Sequence, residues 1–110
     1  MGIFSPDQLK RVQCLDCKKK YTKAEKDDPD GWTLLAFTNR KLTNFSKAEE
    51  LYEKALKLEP NNKIALEYQG ELFLALGQME KALNNLRLLK SQCQLGCLEV
   101  TQLKAAIDKF

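Results

Sequence analysis

The chain has 110 residues, which suits one domain that buries about two thirds of its unfolded surface. Its 44% hydrophobic and 30% charged residues, with only 5 Gly and 3 Pro, exclude a disordered or low-complexity chain and lean towards helix. The net charge of +3 comes entirely from residues 1–27, with seven basic and four acidic side chains; the rest is balanced at eleven of each, so no basic stripe suggests nucleic acid.

The N-terminus MGIFSPDQ lacks the basic start and apolar centre of a signal peptide, and Pro6 stands where a myristoylation signal needs Ser or Thr. No apolar run approaches the length of a membrane span. The chain is therefore expected to be soluble, cytoplasmic as it stands, or periplasmic if a leader has been removed. Ser5-Pro6-Asp7-Gln8 is a helix start, with Ser as N-cap, Pro at the first helical position and Gln closing a capping box. Leu9, Val12 and Leu15 continue it as an apolar stripe, and Lys18, Lys19 and Lys20 read as its solvated end.

The stretch YTKAEKDDPDGW, from Tyr21 to Trp32, begins like two later helix openings, FSKAEE and MEKALN, and then breaks off. Under those openings Tyr21 falls with Phe45 and Met79, and Ala24 with Ala48 and Ala82, at spacings of 24 and then 34 residues. The first unit is thus ten residues short and reads as the remnant of a third repeat, continuing the helix begun at Pro6 and leaving apolar surface near Trp32 uncovered.

From Asp30 to Leu42, Trp32, Leu35, Ala36, Phe37 and Leu42 suit an amphipathic helix, interrupted by Thr43-Asn44. Phe45, Ala48, Leu51, Tyr52, Ala55, Leu56 and Leu58 give a second helix, closed by Glu59-Pro60-Asn61-Asn62. The scheme recurs through Leu66, Gly70, Phe73 and Leu74, a turn at Gly77-Gln78, and Met79, Ala82, Leu83, Leu86 and Leu89. Phe45 and Met79, Ala48 and Ala82, Tyr52 and Leu86, and Ala36 and Gly70 are each 34 residues apart. A fixed period of that length in a helical hairpin marks a stacked repeat array.

On these residues the stretch from Pro29 to Leu89 resembles two tetratricopeptide repeats. The first carries Trp32, Leu35, Ala36, Phe45, Ala48, Tyr52, Ala55 and Pro60 at the family's characteristic positions; the second carries Leu66, Gly70, Phe73, Gly77, Ala82 and Leu86. Asn39 and Gln69 depart from it, standing where the family usually places apolar or aromatic groups. The tail LKSQCQLGCLEVTQLKAAIDKF is similar to the closing segment of a group of small bacterial tetratricopeptide proteins, in which Leu98, Leu103, Ala106, Ile107 and Phe110 would seal the last hairpin. The resemblance implies an all-α, right-handed stack of antiparallel hairpins. Residues 1–28 form an N-terminal helix, 29–62 and 63–94 the two repeats, and 95–110 a C-terminal capping helix.

No catalytic constellation is visible. The chain has no His, and Glu49, Glu50 and Glu53 stand among Lys47, Lys54 and Lys57 at the spacing of an ion-paired helix surface. CxxC at Cys14 and Cys17 with CxxxC at Cys93 and Cys97 has the ligand spacing for zinc, but CLDC falls within a helix, so no metal or other cofactor is expected. Cys14 and Cys17 read as small apolar residues. Cys93 and Cys97 suit a disulfide, since Gly96 lets the loop bend and the resembling proteins are often exported; in a reducing cytoplasm they would be free thiols.

By the same resemblance the chain is a noncatalytic adaptor or assembly factor, with Thr33, Phe37, Arg40, Lys41, Glu67, Glu71 and Leu74 on the groove formed by the first helix of each hairpin. Repeats that bind chaperone C-terminal carboxylates use Lys and Asn there, which Thr33, Phe37, Glu67 and Glu71 do not match. The mixture suits a protein or peptide ligand with an apolar anchor and charges of both signs. The alternatives are a homodimer through an uncovered hairpin face and a cysteine-based zinc or redox-responsive domain; neither nucleic acid nor membrane is an expected partner.

Overall fold

A computed structural model of the chain describes residues 15–93 and 96–110. Among these residues the fold is all-α, with six helices: α1 (Leu15–Ala24), α2 (Pro29–Lys41), α3 (Phe45–Leu58), α4 (Lys63–Ala75), α5 (Met79–Gln92) and α6 (Leu98–Lys109). The helix start expected at Ser5-Pro6 lies outside the described residues. Helices α2 and α3 pair as one hairpin and α4 and α5 as the next, with α1 packed on α2 and α6 on α4 and α5. Adding 34 to the bounds of α2 gives those of α4, and the same shift carries α3 onto α5. A further shift of 34 carries Ile64 to Leu98 and Ala75 to Lys109, so α6 is a third copy of the first hairpin helix.

The turns keep this spacing. Thr43 (φ 65) and Gly77 (φ 74) occupy equivalent left-handed positions. In the first turn the Asn44 N–H donates to Asn39 O (2.8 Å) and the Thr43 N–H to Arg40 O (2.9 Å). In the second, the Gln78 N–H donates to Phe73 O (2.7 Å) and the Gly77 N–H to Leu74 O (3.0 Å). These paired bonds satisfy the last helical carbonyls and reverse the chain within three residues. Glycine adopts the required conformation without steric cost, whereas β-branched Thr43 does so under strain.

Helix starts are tied across the repeats. Asp28 caps α2 by accepting from the Asp30 N–H (3.0 Å), with Pro29 next in line. Asn62 caps α4 by accepting from the Ala65 N–H (2.9 Å), while its amide donates to Asp30 Oδ1 and Glu59 Oε2, each at 3.0 Å. One buried side chain thus fixes the end of α3 and the starts of α2 and α4 together.

Small residues let the helices approach. Ala36, Ala48, Ala55, Ala65 and Ala82 are fully buried, with Leu35, Leu51, Tyr52 and Leu72 filling the space around the first hairpin. The two departures from the family pattern are satisfied rather than loosely packed. Asn39 donates to Leu35 O (2.9 Å) and accepts from the Asn44 amide (3.2 Å). Gln69 accepts from the Asn85 amide (2.9 Å), which also donates to Leu66 O (3.0 Å). The apolar contact made by Leu35 and Leu51 in one hairpin is thus a polar clasp at the equivalent positions, Gln69 and Asn85, in the other.

The N-terminal end corrects one expectation. Tyr21 and Ala24 close α1, whereas Phe45 and Met79 open their helices. The likeness of YTKAEK to FSKAEE is therefore local; in the true spacing Ala24 corresponds to Leu58, so α1 is the later part of a second hairpin helix. Its end is set by the turn before Pro29, where the Tyr21 hydroxyl donates to Asp28 and the ring lies where a Cβ on Gly31 would sit. Beside Trp32, Tyr21 and Leu34 stay exposed around an open hollow, although Trp32 itself is covered. It is half-buried against the core, its Nε1–H donates to Lys26 O (2.8 Å), and Lys54 Nζ lies 4.2 Å from the ring centroid.

At the other end Leu103 is fully buried, and a Cβ on Gly70 would stand 2.7 Å and 2.8 Å from its δ carbons. Cys93, which follows α5, and Cys97, which precedes α6, form a disulfide with Cα atoms 5.8 Å apart. Cys17 is also disulfide-bonded, not a small apolar packing residue, and Cys14 lies outside the described residues. Two outcomes are expected. Leu103→Ala should lower stability by about 3 kcal/mol in urea titration and loosen α6 in amide hydrogen exchange. Reducing the Cys93–Cys97 bridge, which closes a short loop, should cost about 2 kcal/mol, and the Cys93→Ser variant should no longer respond to reductant at that bridge.

Candidate functional site

The first helices of the hairpins, α2 and α4, together with α6, line one open cleft of about 720 Å³. Six of the seven groove residues read from the sequence lie on it: Phe37, Arg40 and Lys41 from α2, and Glu67, Glu71 and Leu74 from α4. Thr33 does not. It is buried, and its hydroxyl donates to Pro29 O (2.9 Å) one turn earlier in α2. The third wall, carrying Gln102, Ala105, Ala106 and Lys109 with the following Phe110, comes from α6 and its end, which the groove assignment omitted. Extending the period by one more unit would have found it, since Glu71 maps to Ala105 and Ala75 to Lys109.

The apolar floor is covered. Phe37 is 5% exposed, its ring 5.1 Å from that of Tyr68, with the Arg40 guanidinium 5.6 Å and Lys41 Nζ 5.3 Å from its centroid. Leu74 is buried too and Tyr68 half-buried, whereas Phe110 is 68% exposed, so the most accessible aromatic of the cleft stands just after α6. Phe37 thus supports the two cations more than it offers a contact surface.

Two carboxyls meet beneath the rim. Glu71 faces Arg40 at 4.0 Å, with both side chains partly accessible. Glu67, 2% exposed, lies one helical turn before it. Burial, reinforced by a hydrogen bond to Glu71 and the charge of that carboxylate, pushes the Glu67 carboxyl up to about 9. At neutral pH Glu67 is therefore protonated and donates to Glu71. Desolvation lowers the Lys41 pKa, with the neighbouring Arg40 adding to the effect, and burial raises that of Tyr52 beneath the same cluster. Arg40 Nε, Tyr52 Oη and Glu67 Oε2 are buried without hydrogen-bond partners among the described residues.

Among the described residues no three His, Cys, Asp or Glu side chains group as metal ligands, and no helix is long and apolar enough to cross a membrane. The disulfides leave Cys17, Cys93 and Cys97 without thiolates to offer a metal.

Because the Glu67 carboxyl holds its proton more tightly folded than unfolded, the native state binds the extra proton between about pH 4.5 and 9, and stability falls as pH rises through that window. Glu67→Gln, which keeps the shape without the ionisation, should be more stable than the parent at pH 7 and should flatten the pH dependence of the unfolding midpoint across that window.

Residues 29–62 and 51–84 each match a family model described as Tetratricopeptide repeat. The second match begins within α3, takes in α4 and ends within α5, so the two together run across both hairpins. No curated protein matches the chain.

Proposed function

The chain is a tetratricopeptide repeat protein, and we propose that it acts as a noncatalytic adaptor or assembly factor, seating a peptide or helix of another protein in the cleft of α2, α4 and α6. Domains of this family are generally protein-interaction modules. The observation that carries the reading is the common wall formed by three successive equivalent helices, which gives one continuous concave surface with an exposed aromatic at its end. Among the described residues the raised carboxyl of Glu67 is the feature that would also suit acid–base chemistry. Its proton, however, is held on a buried carboxyl by burial and by Glu71, and the chain has no His to complete a proton relay.

The disulfide at the base of α6 suits an oxidising compartment, as does the likeness of the closing segment to exported bacterial proteins of the family. A photo-crosslinking residue placed at Ala105, inside the cleft, should join the chain to a partner in cell extract. The same residue at Leu83, exposed on α5 outside the cleft, should yield no such adduct. Equal labelling from both positions, or from Leu83 alone, would remove the cleft as the docking surface.

A further inference from the structure

Charge is not balanced across the cleft as it is across the body of the chain. Arg40 and Lys41 lie together on one side, stacked over Phe37, and Lys109 stands opposite on α6. Two carboxyls line the same surface, but only one carries charge at neutral pH. Glu67 is buried, held protonated by desolvation and by the Glu71 charge, and Glu71 faces Arg40 at 4.0 Å. The lining side chains thus set three cations against one charged carboxylate, although the sequence shows equal numbers of acids and bases at the groove positions of α2 and α4. Tyr68, Ala105 and the exposed ring of Phe110 supply apolar contact between the charged sides.

We propose that the cleft takes an acidic segment of a partner protein, its carboxylates facing Lys41 and Lys109 across the cleft and an apolar side chain packing on Phe110. The inference rests on the cleft being the docking surface. It narrows the ligand from one of mixed charge to an anionic one, because opposite potential across an interface sets partner choice and encounter rate. Glu67 adds a condition. From its own helix Glu71 faces it, from α2 Arg40, and from α6 Glu99. Ionisation of Glu67 above about pH 9 would place a second negative charge under the same surface and weaken binding of an acidic ligand.

The test uses two labelled amphipathic peptides, one of Leu, Ala and Glu and the other with every Glu replaced by Lys, titrated against the full chain by fluorescence polarisation. The Glu peptide should bind about tenfold more tightly than the Lys peptide, the preference should shrink as salt is raised, and Lys41→Glu with Lys109→Glu should reverse it. Should the double variant lose helicity, Lys109→Glu alone, at an exposed position, should still cut the preference severalfold. Equal binding of both peptides that Phe110→Asp abolishes would overturn the acidic ligand and leave the cleft as a docking surface. Binding of neither peptide, or binding indifferent to Phe110→Asp and to the charge reversals, would overturn both. A single-stranded oligonucleotide that outcompetes the Glu peptide, or a mass that doubles with concentration and blocks it, would replace the acidic segment with nucleic acid or a second copy of the chain.

Discussion

The contact of Leu103 with Gly70 holds the far end of the molecule together. A glycine inside a helix costs about 1 kcal/mol relative to alanine, and here it opens a seat on α4 that Leu103 of α6 fills. A hairpin cannot bury both its faces alone, so an array of two needs something at each end, and α6 does this with one fully buried leucine. The position of α6 sets the third wall of the cleft, and with it Lys109 and Phe110. Packing at the back of the helix thus decides what its front can bind.

Beneath the cleft the structure accepts costs that an apolar core would avoid. Glu67 is buried beside Glu71 and Arg40, and Arg40 Nε, Tyr52 Oη and Glu67 Oε2 find no hydrogen-bond partner among the described residues. Each such group weakens the fold. Their gathering under one concave surface, against one such atom elsewhere among the described residues, Gln78 Oε1, is the pattern expected where stability has been given up to shape a binding face.

Much of this was legible in the sequence because it is periodic. Helix bounds, turn positions and small residues recur every 34 positions, and that repetition survives noise at single sites. What failed was comparison by local likeness. YTKAEK resembles a helix opening letter by letter, but Tyr21 spends its ring on Gly31 and its hydroxyl on Asp28, which is what the last turn of α1 requires. Asn39 and Gln69 depart from the family pattern, and their partners, Asn44 and Asn85, come into reach only in the folded chain. Thr33 falls at a groove position by count yet turns its hydroxyl back to its own helix. The protonation of Glu67 was out of reach, since it depends on a buried neighbour and not on spacing.

The polar clasp of Gln69 with Asn85 also bears on how the chain avoids assembling wrongly. Two hairpins of equal length and spacing could in principle exchange helices, within one chain or between two chains. If α3 paired with α4, Leu51 would stand against Gln69, and if α2 paired with α5, Leu35 would stand against Asn85. Either exchange buries a carboxamide with nothing to bond, at a cost of about 1–3 kcal/mol for each. The units share a length but not an identity, and the mismatch between one amide pair and one leucine pair makes each helix accept only its own neighbour.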